Sequence, residues 1–408
     1  MLYDTIVVGG GIAGLYCAAR LSAKGESVLV LEKAGYLGGR IYTHPKKGYE
    51  CGAARFHSSH YLLRELVRKY GLKTYALSKG SDFYSLRMGG ELFEGTDVFF
   101  EEYTKGVVRE LRRKVPMRTL KLHTMAEICA KHLTPNEYHL WVDLFGYTSE
   151  LSILNAYDAI RMLTEEFVGK NYYVVVGGMT QIIKGLERDI KKNKGIIKMN
   201  APVVHVGAIE TGVMVRGSHK DEEYIARRCI LAVPQLALRS LLPSTRDLQC
   251  VQPAPLLRVY AQYKPTRQPN GKTEVWFAGM KRRMTDSFLR YIIPIREDTG
   301  MIMVSYTDGL DTEMIPKGEV SAKKTIQKEL KAMCPDRNIP DPFYFKMHMW
   351  PDGAYYWKGG CDSGEVSERM IQPMGKKMPL YVCGESFSRK QAWVEGALET
   401  ARNVLRRI

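Results

Sequence analysis

At 408 residues and 46.4 kDa the chain is longer than one core comfortably holds, so two domains, or one with a large insertion, are expected. Apolar residues at 45% and charged residues at 25% are ordinary globular proportions, which excludes a mini-protein, a collagen-like chain and wholesale disorder. Sixty Lys and Arg against 44 Asp and Glu leave a formal charge of +16, a field that attracts nucleic acid, acidic surfaces or carboxylated substrates without selecting among them.

The apolar runs Tyr172 to Val176 and Cys229 to Val233 fall far short of the roughly 20 residues of a membrane helix. Near the N-terminus, Asp4 stands where a signal peptide carries positive charge, and three consecutive glycines interrupt the apolar stretch. The eight cysteines are scattered, without a CxxC pair or Cys/His metal spacing, so neither a disulfide framework nor a metal site is expected. A reducing, cytoplasmic location is the corresponding expectation.

Residues 3–8, YDTIVV, form a β-branched run, followed by the glycine turn Gly9 to Gly14, a helix-compatible LYCAARLSAK with Gly25 as its stop, and a second apolar run, VLVL, ending at Glu32. This order predicts a βαβ unit with Gly9, Gly11 and Gly14 as a GxGxxG. The glycines serve a tight turn, close approach to a pyrophosphate and close helix packing, and the helix N-terminus favours the anion. Glu32, which lies 18 residues past Gly14, suits ribose hydroxyls and repels a 2'-phosphate. FAD or NAD therefore fits better than NADP.

Leu37-Gly38-Gly39-Arg40 follows the second strand, and such a loop can set amides and a guanidinium on a dinucleotide. Placed after GxGxxG and an acidic strand end, it resembles the signature of the flavin amine oxidase superfamily, which includes monoamine, polyamine and L-amino-acid oxidases. The resemblance continues through VVVGGM at 174–179, NAPVVHV with Val203 on the adenine side, CILAVP at 229–234, YVCGES with Gly384 and Glu385, and AWVEGALETA near the C-terminus. It implies an α/β fold in which a Rossmann-like FAD-binding domain (residues 1–60, 170–240 and 350–408) is interleaved with a mixed sheet-plus-helices substrate domain (61–169 and 241–349). Residues 97–165 read as mostly helical with breaks at Pro116 and Pro135, and 255–310 as strands.

By the same resemblance the cofactor contacts are Gly9, Gly11, Ala13, Gly14, Glu32, Lys33, Gly38, Gly39, Arg40, Val203, Gly384, Glu385, Trp393 and Val394. The implied reaction is oxidative deamination: a hydride equivalent passes to flavin N5, water hydrolyses the imine, and molecular oxygen is reduced to hydrogen peroxide. Two rings flanking the amine would be Trp393 and Tyr355, with Tyr356 an alternative to Tyr355; π-faces guide an amine without holding a proton on it. Ala354 stands where some relatives carry the cysteine that attaches FAD, so the FAD is expected to be non-covalent. Cys361 is too far along the chain to substitute.

Arg55, in GAARFH, matches the position where L-amino-acid oxidases bind the substrate carboxylate, a role suited to a planar fork. His57 departs from that branch's proline, and pairing of Arg55 with Glu50 or another acid is the competing reading. Arg258 matches the position of a lysine tied to oxygen reactivity. A guanidinium cannot act as a base, so turnover with oxygen is in question. His44, His57 and His60 read as exposed or structural. Two other functions remain open: a weakly active or non-catalytic flavoprotein with a binding or virion-associated role, and a desaturase of an apolar substrate. The basic stretch Arg109, Arg112, Arg113, Lys114, Arg118, Lys121 reads as a solvated helix face rather than a nucleic-acid site.

Overall fold

The β-branched residues of Leu2–Val8 suit a strand covered on both faces, and in the computed structural model, which describes residues 2–219, 222–375 and 378–408, this strand lies inside a parallel sheet. It pairs in parallel with Val28–Leu31 on one side and Glu223–Leu231 on the other. The order across the sheet is Ile196–Lys198, Val28–Leu31, Leu2–Val8, Glu223–Leu231, Gly212–Gly217 and Val203–Ile209, and Leu380–Val382 also pairs with Glu223–Leu231. Val8 is opposite both Leu31 and Leu231, so three strands end together at their carboxyl edge. That edge is where open parallel sheets bind ligands.

Helix Ile12–Ser22 makes the crossover and is buried along nearly its whole length. Its small residues Ala13, Gly14, Ala18 and Ala19 let it lie close to its neighbours. It packs on helices Thr180–Lys192 and Val394–Arg407, with Leu15, Leu21, Ile182, Leu186, Leu398 and Val404 in one shared core. The same arrangement binds the C-terminal segment to the first thirty residues.

The chain divides into two compact units, the first formed by Met1–Leu77, Lys170–Pro253 and Ala354–Ile408, the second by Ser78–Gly169 and Ala254–Gly353. The first unit runs past residue 60, where the sequence suggests its opening segment ends. Helix Tyr61–Lys69 packs on the last helix, and Thr74–Ala76 and Phe56–His57 both pair with Tyr172–Val175. The strand pairs join segments about a hundred residues apart and the helix pair segments more than three hundred apart, beyond the reach of local pattern. The first unit also contains a disulfide between Cys250 and Cys361, 111 residues apart, which corrects the expectation drawn from the scattered cysteines. No spacing rule signals such a pair. The other six cysteines are buried thiols.

In the second unit the helices include Asp97–Lys114, Met125–His132, Pro135–Phe145 and Ala156–Met162. Thr124 with Glu127 and Thr134 with Glu137 form capping boxes, and Pro135 occupies the first turn, where its missing N–H costs nothing. The sheet of this unit runs through Tyr344–Trp357 up to Gly353, Val251–Gln262 from Ala254, Met301–Asp308, Tyr291–Arg296, Arg283–Thr285, Asp82–Ser85 and Glu91–Phe93. Arg109, Arg112, Arg113, Lys114 and Arg118 are exposed, as a solvated face requires. Among the described residues no helix is long and apolar enough to cross a membrane.

Candidate cofactor and substrate site

The glycines at the carboxyl edge of the first sheet divide into two kinds. At Gly9, with φ +107°, a Cβ would lie 2.4 Å from the Ala232 carbonyl oxygen, and at Gly14 it would lie 2.1 Å from the Gly9 oxygen. Those two are demanded by the fold itself. At Gly11 and at Gly384 a Cβ would meet nothing within 4 Å, and at Gly39 its nearest neighbour is the Gly11 Cα at 3.6 Å. The Gly38 amide donates to the Gly10 oxygen at 2.8 Å, which joins the two glycine loops. Helix Ile12–Ser22 starts at Gly11 with no side-chain cap and no acidic residue in its first turn, leaving its amides to an anion.

Glu32 is 8% exposed; its Oε2 accepts the Gly10 amide at 2.6 Å and its Oε1 the Ala34 amide at 2.7 Å. Each oxygen retains a lone pair suited to a ribose hydroxyl. These features fit a dinucleotide: bare backbone beside a helix N-terminus, and an oriented carboxylate at the end of the second strand. Lys33 is exposed, Val203 and Val394 are half-buried, and Ala13 is buried within its helix.

Arg40 leaves the second glycine loop to pair its Nη1 with Glu385 Oε2 at 2.9 Å, and its guanidinium lies 5.8 Å from the Tyr355 ring centre. Glu385 Oε1 accepts the amides of Tyr355 at 3.1 Å and Ala392 at 2.8 Å. Tyr355 is fully buried and its hydroxyl lies 3.5 Å from the Leu236 amide. Tyr356, the alternative ring, is buried as well.

Trp393 is the N-cap residue of helix Val394–Arg407. Its indole is parallel to the Tyr172 ring, and the rings of His57 and His60 meet it edge-on at 5.6 and 5.0 Å. The Arg55 guanidinium lies 4.5 Å from the Tyr172 centroid and 5.9 Å from that of Trp393. Among the residues matched to the family, Arg55 and Trp393 are thus brought together, and Tyr172 joins them although nothing singled it out in the sequence. Its register explains the meeting: Tyr172 is paired directly with His57 across the strands.

His57 and His60 are both fully buried, with ring centroids 3.7 Å apart, so the exposed reading of these histidines is wrong. His57 Nδ1 is 2.9 Å from the Ser59 hydroxyl. Their pairing with an aromatic face is legible only once strand Phe56–His57 and the last helix are placed. Glu395, two residues beyond the indole, accepts the amides of Leu62 and Leu63, each at 2.9 Å. It thereby caps helix Tyr61–Lys69, whose own N-cap His60 supplies no side-chain bond. Burial pushes the Glu395 carboxyl above its ordinary value, against the pull of the two amides. Glu50, the competing acid for Arg55, accepts the Met179 amide at 2.6 Å and the Thr43 hydroxyl at 2.9 Å.

In the second unit, Arg258 is buried on strand Val251–Gln262, in register with Tyr306, and its guanidinium sits 4.4 Å from that ring's centre. Burial opposes its charge, but the hydroxyls of Tyr306, Tyr260 and Tyr147 more than offset this and hold its pKa above the ordinary range. Arg258 is a permanent cation.

Residues 12–408 match the family model described as flavin containing amine oxidoreductase. The flavin-dependent L-tryptophan oxidase RebO of Lentzea aerocolonigenes is 23% identical, over 98% of this chain and 97% of that protein. An L-amino-acid oxidase of Mus musculus is 24% identical, over 99% of this chain and 70% of its own length. Among solved structures, wild-type putrescine oxidase bound to putrescine shares the fold with a TM-score of 0.77 at 18% identity, covering 100% of this chain and 99% of that one.

Proposed function

Since this chain belongs to the flavin containing amine oxidoreductases, and is thus a flavin-dependent oxidoreductase, we propose that it holds FAD non-covalently and oxidises the C–N bond of an amine that carries a carboxylate, an L-amino acid. The observation that carries this reading is the Arg55 guanidinium stacked beside the Trp393 indole. A planar cation of that kind offers two parallel hydrogen bonds to a carboxylate. The names of two similar proteins, an L-tryptophan oxidase and an L-amino-acid oxidase, support the same substrate class.

Bound FAD supplies a two-electron acceptor. The chain's own residues do the rest. Gly11, Gly39 and Gly384 leave room for the pyrophosphate and its approach, helix Ile12–Ser22 offers free amides to it, and Glu32 receives the ribose. Ala354 cannot form a thioether, and the Cys361 sulfur is already bonded to Cys250, which supports non-covalent attachment. Trp393 and Tyr355 provide dry, uncharged walls, so the substrate amine is favoured in its neutral form. Loss of a hydride equivalent from Cα, with the nitrogen lone pair forming the new C=N bond, then gives an imine; water converts it to a carbonyl and ammonia.

The test is anaerobic. Purified flavoprotein is mixed with panels of amino acids and simple amines, bleaching of the oxidised flavin is followed, and air is then admitted with an assay for peroxide. Amino acids are expected to bleach the flavin, and Arg55→Lys to raise their KM roughly tenfold or more while leaving any simple amine unaffected. Unchanged amino-acid kinetics in that variant would remove the carboxylate assignment. Slow recovery in air, accelerated by Arg258→Lys, is the expected signature of the arginine that stands in the family's lysine position.

A further inference from the structure

The strand Tyr344–Trp357 ends in an unusual way. Amides two residues apart on a strand point to the same side, and here those of Tyr355 and Trp357 are both received by side chains. Tyr355 donates to Glu385 Oε1 at 3.1 Å, and Trp357 donates to Gln391 Oε1 at 2.9 Å. The Trp357 indole N–H donates to the Ser388 oxygen at 3.0 Å, and Gln391 Nε2 to the Ser386 oxygen at 2.8 Å. The segment from Glu385 to Ala392 is thus laced along this strand end.

Glu385 has the larger share. It is 5% exposed, and one of its oxygens serves two amides, that of Tyr355 thirty residues before it and that of Ala392 seven residues after it, while the other faces Arg40. Ala392 has φ +63°, a left-handed conformation that a residue with a Cβ keeps only when its surroundings impose it. The bond from its amide to a buried, charged oxygen, 2.8 Å long, is such an imposition. The direction in which the chain leaves Ala392 sets the start of the last helix, and with it Trp393.

We propose that Glu385 is the positioning residue that places Tyr355 and Trp393 in one register, through the two backbone amides it accepts and with Arg40 balancing its charge. The proposal rests on the amine-oxidising reading for its consequence, not for its geometry. Glutamine in the same place has a single, uncharged acceptor oxygen, so it either turns its NH2 to the two amides or offers them only a weaker neutral acceptor. Aspartate keeps the charge opposite Arg40 but is too short to reach both amides.

The flavin-loaded wild type, Glu385→Gln and Glu385→Asp are compared by amide hydrogen exchange of the segments containing Tyr355 and Ala392, and by the rate of anaerobic flavin bleaching. Both variants are expected to exchange faster in those two segments and to bleach roughly tenfold to a hundredfold more slowly, since small misplacements at the reacting centre cost about that much. Ala392→Gly added to Glu385→Gln should recover much of the rate, because glycine keeps the left-handed turn without help. Unchanged exchange in both variants overturns the proposal. So does faster exchange with an unaltered bleaching rate, which would leave Glu385 a purely structural role. Should no amine bleach the wild type, the functional reading fails while the exchange comparison still decides what Glu385 holds.

Discussion

The Trp393 indole lies parallel to the Tyr172 ring, with 4° between the planes and 6.0 Å between the centroids. Arg55 stacks on the same phenol at 4.5 Å, so one ring supports both the cation and the indole. Aromatic pairs and cation–π contacts each contribute about 1 kcal/mol. Tyr172→Ala should therefore lower stability by about 2 kcal/mol and raise the KM for amino acids, and Tyr172→Phe, which keeps the π-face, should retain the ring's share of both effects. Chemical denaturation and steady-state kinetics on the flavin-loaded protein check both.

Gly11 and Gly14 should respond oppositely to the same substitution. A Cβ at Gly11 projects into open space, so Gly11→Ala should fold with nearly unchanged stability and bind FAD at least about tenfold more weakly. A Cβ at Gly14 would lie 2.1 Å from the Gly9 oxygen, so Gly14→Ala should be destabilised by several kcal/mol whether or not flavin is present. Melting temperatures of flavin-free protein together with FAD titrations separate the two effects.

Glu395 makes stability depend on pH. Burial raises its folded pKa above the ordinary 4.5, so its contribution is fully present below that pH and is lost as pH rises through the folded value. Glu395→Gln removes the charge and should flatten the part of the melting profile that lies above pH 4.5. An unchanged slope would mean that the Leu62 and Leu63 amides cancel the effect of burial.

The Cys250–Cys361 bond closes a loop of 111 residues. Chain-entropy arguments assign such a closure about 5 kcal/mol. Cys250→Ser should cost that order of stability in the oxidised protein and nothing after full reduction, as read by denaturation with and without a reductant. Peptide mapping without reduction should recover the two cysteines in one linked fragment.

Residues 3–32 were legible because everything they need is local: a β-branched run, glycines at the turn, a helix of small residues and an acid at the next strand end. The helical and stranded characters of 97–165 and 255–310 were legible for the same reason. Tyr172 was not. It earns its place by lying opposite His57 in a strand pair more than a hundred residues apart in sequence, and no spacing rule reports that distance. The burial of His57 and His60 was hidden likewise, since a histidine in a polar stretch carries no mark of the indole that will cover it.

The sequence alone determined the glycine turn, the alternation of strand and helix around it, and the family resemblance, because backbone sterics and hydrophobic period act over a few residues. Only the folded chain decided which amides Glu385 receives, which ring supports Arg55 and which two cysteines join. Those choices depend on distances between segments far apart in the chain, and such distances exist only after the core has packed.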